Sequence, residues 1–300
     1  MNASVKLIDR VVPATVGLRA QVPESHPSTS ILGTERHGSG VIFHPSGLVL
    51  TVNYVALGAA SVEATLVTGE VIEARTVAQD FNSGLAVLAL DRDEPLPSVS
   101  LYSSQNSVLG QEVFVIASIG GEKRRGNNGC ITSLSAFDAY WEYRLDRAIL
   151  TTAVNPGVGG APLFDSLGRV IGVVSLDLGQ IGRFSLAVPS ECFLDNREEL
   201  LRYGRRVSVP TRAWVGFYCY TLNENIVVAG VFPGAPAEVA GLRAGDVLVA
   251  VNGHSVTSRG DLYLSLWRHA SGDELTFEIF RDKKLLRVSV TSRSIEEFFG

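Results

Sequence analysis

Residues 155–163 combine turn-forming and small residues in a way that suits chemistry at the backbone rather than at a side chain. Asn-Pro-Gly at 155–157 is a turn signal, and Gly-Gly-Ala-Pro at 159–162 is a small-residue run that leads into an apolar segment. Glycine adopts conformations that turn neighbouring N–H groups toward one point, where they stabilise a developing oxyanion. No serine, threonine or cysteine lies between 155 and 163, so the segment offers backbone donors without a nucleophile.

Short apolar segments must position this loop. Between residues 10 and 190 they are rich in Val, Ile and Leu and are separated by Gly, Pro, Asn or Ser. This pattern predicts an all-β barrel or sandwich. One helix is predicted from Ser190 to Tyr203, with acidic residues early and arginines late.

A second block follows a polar, turn-prone stretch. We predict a first domain at 1–205, a linker at 206–211 and a second domain at 212–294. In the second domain the apolar pattern predicts strands around a helix from Arg259 to His269, which together form a compact α+β module. Asn252-Gly253 and Asp282-Lys283 are hairpin-turn signals.

Composition excludes several functions. The 300 residues are 46% hydrophobic and 19% charged, as in ordinary globular proteins. The formal net charge is −5 and no long basic run is present, which disfavours nucleic-acid binding. The three cysteines are far apart, and no two of the five histidines have i, i+4 spacing, so we predict neither a disulfide framework nor a metal or other cofactor.

The N-terminal residues lack the apolar core of a signal peptide, and the longest apolar stretch, at about 170–176, is far below the roughly 20 residues of a membrane span. We therefore expect a soluble chain that does not span a membrane. The compartment stays open. It is the cell envelope or periplasmic side if a leader has been removed, and the cytoplasm otherwise.

Two series of motifs follow one another along the chain, in the order in which they occur in one protein family. The motifs lie at 38–51, 80–88, 128–134, 153–157 and 168–172 in the first domain, and at 214–217, 233–237, 241–246 and 251–253 in the second. The first series resembles the trypsin-like domain of the HtrA/Deg serine proteases, and the second resembles that family's PDZ domain. The resemblance implies a mainly β fold, in which a chymotrypsin/trypsin-like double β-barrel precedes a small α+β PDZ domain.

The resemblance also locates the family's catalytic positions, and all three are substituted. The histidine position after Leu-Thr-x-Asn holds Tyr54, the aspartate position before Leu-Ala-Val-Leu holds Gly84, and the serine position holds Gly159. The mechanism needs a nucleophile, a base that titrates near neutrality and a carboxylate that orients the base. A phenol with a pKa of about 10 is a poor base, and glycine supplies no group. We therefore expect a pseudoprotease, a non-enzyme homologue of serine endopeptidases, in which the Tyr54 ring fills the cleft.

Two alternatives remain. One is a serine-type endopeptidase with relocated catalytic residues, for which polar residues near the lost positions are candidates: His44, Ser46, Asn53, Asp80 and Ser83. The other is a protease fold that binds a metal or a small anion in the old cleft. Because Val158 is β-branched and resists positive φ, we expect the N–H groups of the 155–163 loop not to converge, although a retained anion pocket is the competing interpretation.

The second domain retains the features of a peptide-binding module. A PDZ domain captures a C-terminal carboxylate on backbone N–H groups and adds the peptide as a strand at a sheet edge. The resemblance assigns the carboxylate loop to Trp214, Val215, Gly216 and Phe217, with Leu262 and Leu266 on the facing helix and Arg212 nearby. The alternative interpretation is that Trp214, Phe217 and Leu266 are ordinary core residues.

The resulting expectation is a scaffold, adaptor or regulator that binds C-terminal or extended peptides of other proteins through the PDZ groove. C-termini that end in an apolar residue are the preferred ligands. The resemblance further implies an active HtrA-type relative as a partner and a homo-oligomer, a trimer in the family.

Overall fold

The computed structural model describes residues 3–179 and 182–300. The chain divides into two compact units. The first contains the residues up to 136 together with 146–207, and the second contains 137–145 together with 208–300. Within the described residues no helix is both long and apolar enough to cross a bilayer.

Two closed six-stranded barrels form the first unit. The strands of the first barrel are β1 (Thr15–Gln21), β2 (Glu35–His44), β3 (Leu48–Val52), β4 (Ser61–Thr65), β5 (Val71–Asp80) and β6 (Leu85–Leu90). Its spatial order is β1-β2-β3-β6-β5-β4, with every pair antiparallel. All six residues of β6 are buried, so this apolar segment is a central strand of the barrel.

The second barrel has the same strand number. Its strands are β7 (Glu112–Ser118), β8 (Arg124–Asp138), β9 (Arg144–Thr151), β10 (Ala161–Asp165), β11 (Val170–Asp177) and β12 (Ser185–Pro189). The spatial order is β10-β11-β12-β9-β8-β7. Every residue of β10 and β12 is buried, and the loop at 155–160 leads directly into β10.

Helices are few and short in this unit. They are α1 (Ala3–Val11), a 3-10 turn (Val12–Ala14), α2 (Thr29–Leu32), α3 (Asn53–Ala56), α4 (Glu191–Leu194) and α5 (Arg197–Tyr203). The single helix predicted at 190–203 is wrong in one respect, because it is divided into α4 and α5. Asn196 leaves helical geometry at φ −118°, ψ 10°, and its side-chain amide donates to the Cys192 carbonyl, which ends the first segment.

The second unit is built on a single antiparallel sheet. Its elements are β13 (Phe217–Leu222), β14 (Asn225–Val231), α6 (Pro236–Val239), β15 (Val247–Val251), β16 (His254–Ser255), α7 (Arg259–Leu266), β17 (Glu274–Arg281), β18 (Lys284–Thr291) and α8 (Ile295–Phe299). The strand order is β13-β14-β15-β17-β18, and β16 pairs with β15. Asn252 and Asp282 have positive φ at the predicted hairpin turns. The predicted fold class, mainly β with a double barrel followed by a small α+β module, is confirmed.

Candidate functional site

The structure brings together the three positions that the resemblance assigned to catalysis. Tyr54 lies in α3, directly after β3, and its hydroxyl donates to the Ser175 carbonyl at 2.9 Å. An ideal Cβ on Gly159 would overlap the Tyr54 hydroxyl oxygen and would lie 3.1 Å from Cζ. Gly84 joins the group because its carbonyl accepts the Asn53 N–H at 2.7 Å. The Tyr54 side chain therefore occupies the space into which any residue 159 side chain would extend.

Burial determines the chemistry of Tyr54. It raises the pKa of the phenol to about 12, so the side chain stays protonated at neutral pH and acts as a hydrogen-bond donor. Arg36 holds the helix that carries Tyr54, because its guanidinium donates to the carbonyls of Tyr54 and Leu57 at 2.9 and 2.8 Å. Burial of the Arg36 side chain lowers its own pKa. The predicted filling of the cleft by Tyr54 thus has a rigid support.

Three N–H groups of the 155–163 loop donate to separate acceptors. The Gly157 N–H faces Asn155 Oδ1 at 3.4 Å, the Val158 N–H donates to the Ser118 carbonyl at 3.2 Å, and the Gly160 N–H donates to the Val174 carbonyl at 2.7 Å. Oxyanion stabilisation requires donors that point at one shared position. The three N–H groups of this loop instead point at three different acceptors.

The candidate residues for a relocated catalytic set lie at two ends of the first barrel. His44 and Ser46 hydrogen-bond to each other at 2.8 Å in the exposed turn between β2 and β3. Ser83 donates to buried Asp80 at 2.6 Å. In the strand pairing, Leu48 lies opposite Ala89 and Val52 opposite Leu85, so β3 separates the two pairs by about 13 Å at roughly 3.3 Å per residue. Asn53, the fifth candidate, is buried beside the Ser83 end.

In the described part of the chain, no three His, Cys, Asp or Glu side chains are close enough to hold one metal ion. The interpretation of the old cleft as a metal-binding site therefore gains no ligand set. The small-anion alternative depends on the loop N–H groups described above.

The predicted peptide-binding residues are clustered in the second unit. Trp214, Val215, Gly216 and Phe217 run into β13, and Leu262 and Leu266 lie one turn apart on α7; all of them are buried. Val215, Phe217, Leu262 and Leu266 belong to a single hydrophobic core.

Position 216 has no room for a side chain. Its φ is +82°, and an added Cβ would collide with the Ala235 methyl and lie 2.8 Å from the Trp214 ring. Arg212 stacks its guanidinium over Trp267 at 4.6 Å.

The residue that sequence reasoning missed is Glu142. Its carboxylate accepts the N–H groups of Val215, Gly216 and Phe217 at 3.1, 2.6 and 3.2 Å, and only 7% of the residue is exposed. Burial raises the pKa of this carboxyl to about 7, and the three N–H donors oppose the shift. The only sequence signal is the unusual run Tyr140-Trp141-Glu142-Tyr143 between two predicted strands.

Comparisons with known proteins agree with this architecture. Residues 38–173 match the trypsin-like peptidase domain family and residues 204–291 match the PDZ domain family. A relative named "Probable periplasmic serine endoprotease DegP-like" from Pseudomonas savastanoi pv. phaseolicola is 28% identical over 297 residues, which cover 91% of this chain and 60% of the relative. A Marinomonas relative of the same name is 30% identical over 273 residues, covering 85% and 56%. The chain thus spans less than two thirds of the length of these relatives.

Solved structures share the fold. The "HtrA-type protease AlgW with tripeptide" superposes with a TM-score of 0.61 at 23% identity, covering 97% of both chains. The serine endoprotease from Yersinia pestis gives a TM-score of 0.59 at 23% identity, covering 98% of this chain and 99% of that one.

The names of the relatives correct one expectation from the sequence. We expected this chain not to be an enzyme because of Tyr54, Gly84 and Gly159. The relatives are named serine endoproteases, which contradicts that expectation and points to a protease. The inference failed because it extended the chemistry of three positions to the whole protein.

Proposed function

Because the chain is a homologue of the HtrA/DegP serine proteases, with a trypsin-like peptidase domain and one PDZ domain, we propose that it binds polypeptides at its PDZ groove. The ligands are C-terminal segments that present a free carboxylate and end in an apolar residue. Through this groove the chain acts as an adaptor, scaffold or regulator for other proteins, among them an HtrA-type relative.

One observation carries the proposal. Three consecutive N–H groups, from Val215 to Phe217, converge on one carboxylate, with both of its oxygens used. Hydrogen bonds to a charged acceptor are stronger than those between neutral groups. A loop with this geometry is a receptor for carboxylates, and the buried side chains of Val215, Phe217, Leu262 and Leu266 supply an apolar surface beside it.

Fluorescence anisotropy of the full chain with labelled peptides tests the proposal. Peptides that end in leucine or valine are compared with the same peptides ending in a C-terminal amide. We expect the free acid to bind at least about tenfold more tightly, since charge-assisted hydrogen bonds contribute roughly 1.5–3 kcal/mol. Equal affinity for acid and amide, or no binding of either, would refute the proposal.

The relatives' names and the family resemblance support proposals for the compartment and the assembly. Their names place them in the periplasm, which supports a periplasmic location for this chain. The family resemblance supports a homo-oligomer. Fractionation of cells and sedimentation velocity of the purified chain test the two points separately.

A second candidate function is peptide-bond hydrolysis, which the names of the relatives favour. Tyr54, Gly84 and Gly159 supply neither nucleophile nor base, so other groups of the first unit would have to carry it. Cleavage of an unfolded protein substrate by the purified chain, together with labelling by a serine-directed phosphonate, supports this function. It also requires that Ser83→Ala or His44→Ala abolish both signals, with Ser135→Ala, an exposed serine on β8, as the matched control. Absence of cleavage and of labelling eliminates it.

A further inference from the structure

Residues 139–142 lie in the second unit beside the start of β13, where they form an isolated β-bridge. Trp141 pairs antiparallel with Tyr218, and the Tyr140 carbonyl accepts the Cys219 N–H at 2.7 Å. Strand addition at a sheet edge is the way PDZ domains hold extended peptides. The first residues of this β13 edge, Tyr218 and Cys219, are therefore already paired by a segment of the same chain.

The register of this pairing matches that of a peptide whose last residue is 142. Cys219 lies two residues after Phe217 on β13, and its acceptor Tyr140 lies two residues before Glu142. The Phe217 N–H itself donates to Glu142 Oε1 at 3.2 Å. The Glu142 side-chain carboxylate thus stands where the main-chain carboxylate of a C-terminal residue would be held.

Further contacts fix the segment against α7. The Tyr263 hydroxyl donates to the Ala139 carbonyl at 2.8 Å. A tight turn closes the segment, with the Ala139 N–H donating to the Tyr143 carbonyl at 2.9 Å. At its base Arg144 pairs with Asp138 at 2.6 Å, and both lie 3.0 Å from where a Gly260 Cβ would be, so glycine at the start of α7 permits this approach.

We propose that residues 139–142 are a built-in ligand of the PDZ groove, and that an outside C-terminal peptide binds only by displacing Glu142 from the N–H groups of Val215–Phe217. This inference rests on the proposed peptide-binding function. It adds that the groove is occupied in the resting chain and that its partners compete with an internal acidic side chain.

The size of the effect follows from competition. A segment tethered beside its site has an effective concentration of about 1 mM. If its own dissociation constant is about 0.1 mM, it raises the apparent Kd of an outside peptide by about tenfold. Glu142→Ala removes the three hydrogen bonds that hold the segment in the groove, so we expect it to tighten peptide binding by up to about tenfold.

The test compares full-length variants by anisotropy with the leucine-terminated peptide. Glu142→Ala binds the peptide more tightly than wild type. Glu224→Gln, an exposed acid of the same unit, binds like wild type. Tyr263→Phe loses the hydroxyl's bonds to the Ala139 carbonyl and to Cys219 Sγ. It gives a smaller gain of about 2- to 5-fold and keeps the test informative if a change at 142 impairs folding.

Amide hydrogen exchange separates this inference from the proposed function. In wild type the N–H groups of residues 215–217 are protected by Glu142, and Glu142→Ala exposes them in the absence of any peptide. Peptide binding of equal strength in wild type and variants refutes the built-in ligand and leaves the proposed function standing. If no peptide binds to any variant, the proposed function fails, and the exchange rates alone decide. Faster exchange in Glu142→Ala supports the built-in ligand, and unchanged exchange refutes it.

Discussion

The overlap between Tyr54 and position 159 predicts a strong energetic coupling. Gly159→Ala adds one methyl group, whose carbon would lie closer to the Tyr54 oxygen than real Cβ atoms approach, and 3.1 Å from Cζ. The hydroxyl has to move, and movement breaks its 2.9 Å bond to the Ser175 carbonyl. The substitution therefore combines overpacking with the loss of a hydrogen bond.

These two effects have known sizes. Overpacking a close-packed site costs about 1–3 kcal/mol, and a lost hydrogen bond costs about 0.5–1.5 kcal/mol. Gly159→Ala should lower the free energy of unfolding by about 2–4 kcal/mol. Tyr54→Phe alone should cost about 1 kcal/mol, because only the hydroxyl and its bond are lost. When Tyr54→Phe is already present, the methyl group no longer meets an oxygen, so the double variant should be more stable than additivity predicts by about 1–3 kcal/mol.

The assay is urea unfolding of the four proteins of this double-mutant cycle, followed by circular dichroism. Gly126→Ala is the matched control, because its Cβ would meet nothing closer than the Val115 carbonyl at 3.6 Å, and we expect a change within about 0.5–1 kcal/mol. Additivity of Gly159→Ala and Tyr54→Phe within about 0.5 kcal/mol would refute the packing argument. So would a Gly159→Ala variant as stable as wild type.

Three further predictions concern separate parts of the molecule. Burial raises the pKa of the docked Glu142 carboxyl from 4.5 to about 7, so docking is strongest below pH 4.5 and weakens as pH rises through 7. Wild-type peptide affinity, measured by anisotropy, should therefore rise from pH 5 to 8 relative to that of Glu142→Gln. The facing Cys219 and Tyr263 also have raised pKa values and stay neutral over this range. Asp246→Ala leaves Arg281 without its buried partner and should cost the second unit about 3–5 kcal/mol in thermal unfolding, whereas Asp282→Ala at the exposed Arg243 pair should cost under about 1 kcal/mol. Gly84→Ala places a Cβ at φ +74° and should cost about 1–2 kcal/mol, with Gly84→Asn milder; an unchanged melting temperature for Gly84→Ala would contradict the assigned backbone conformation.

The fold was predictable because its signals are local. The apolar run at 85–90 is buried along its whole length, and the turn signals at 252 and 282 have the positive φ that such turns need. The sequence did not predict that the helix expected at 190–203 is divided in two. Asn196 stops α4 by an amide bond to a carbonyl four residues earlier, and polar residues that compete with the helix backbone are also common on exposed helix faces.

The occupant of the groove was not predictable by the same means. Glu142 is some seventy residues from the loop that it contacts, and its carboxylate becomes a ligand only when β8 and β9 end where they do. A glutamate in a loop is usually solvated, so composition gives no reason to bury it. The aromatic neighbours Tyr140, Trp141 and Tyr143 were the one clue, because three aromatic rings rarely crowd a short exposed turn without a surface to pack on.

The two sites also show why substituted positions cannot be interpreted one at a time. Tyr54 has room for its hydroxyl only because residue 159 has no side chain, and the hydroxyl then takes the Ser175 carbonyl as its partner. A serine introduced at 159 alone would collide with the Tyr54 phenol. For the loop to face a common anion, the N–H groups of Val158 and Gly160 would also have to leave the carbonyls of Ser118 and Val174. The loop and the tyrosine are therefore one packed unit, and its chemistry depends on both together.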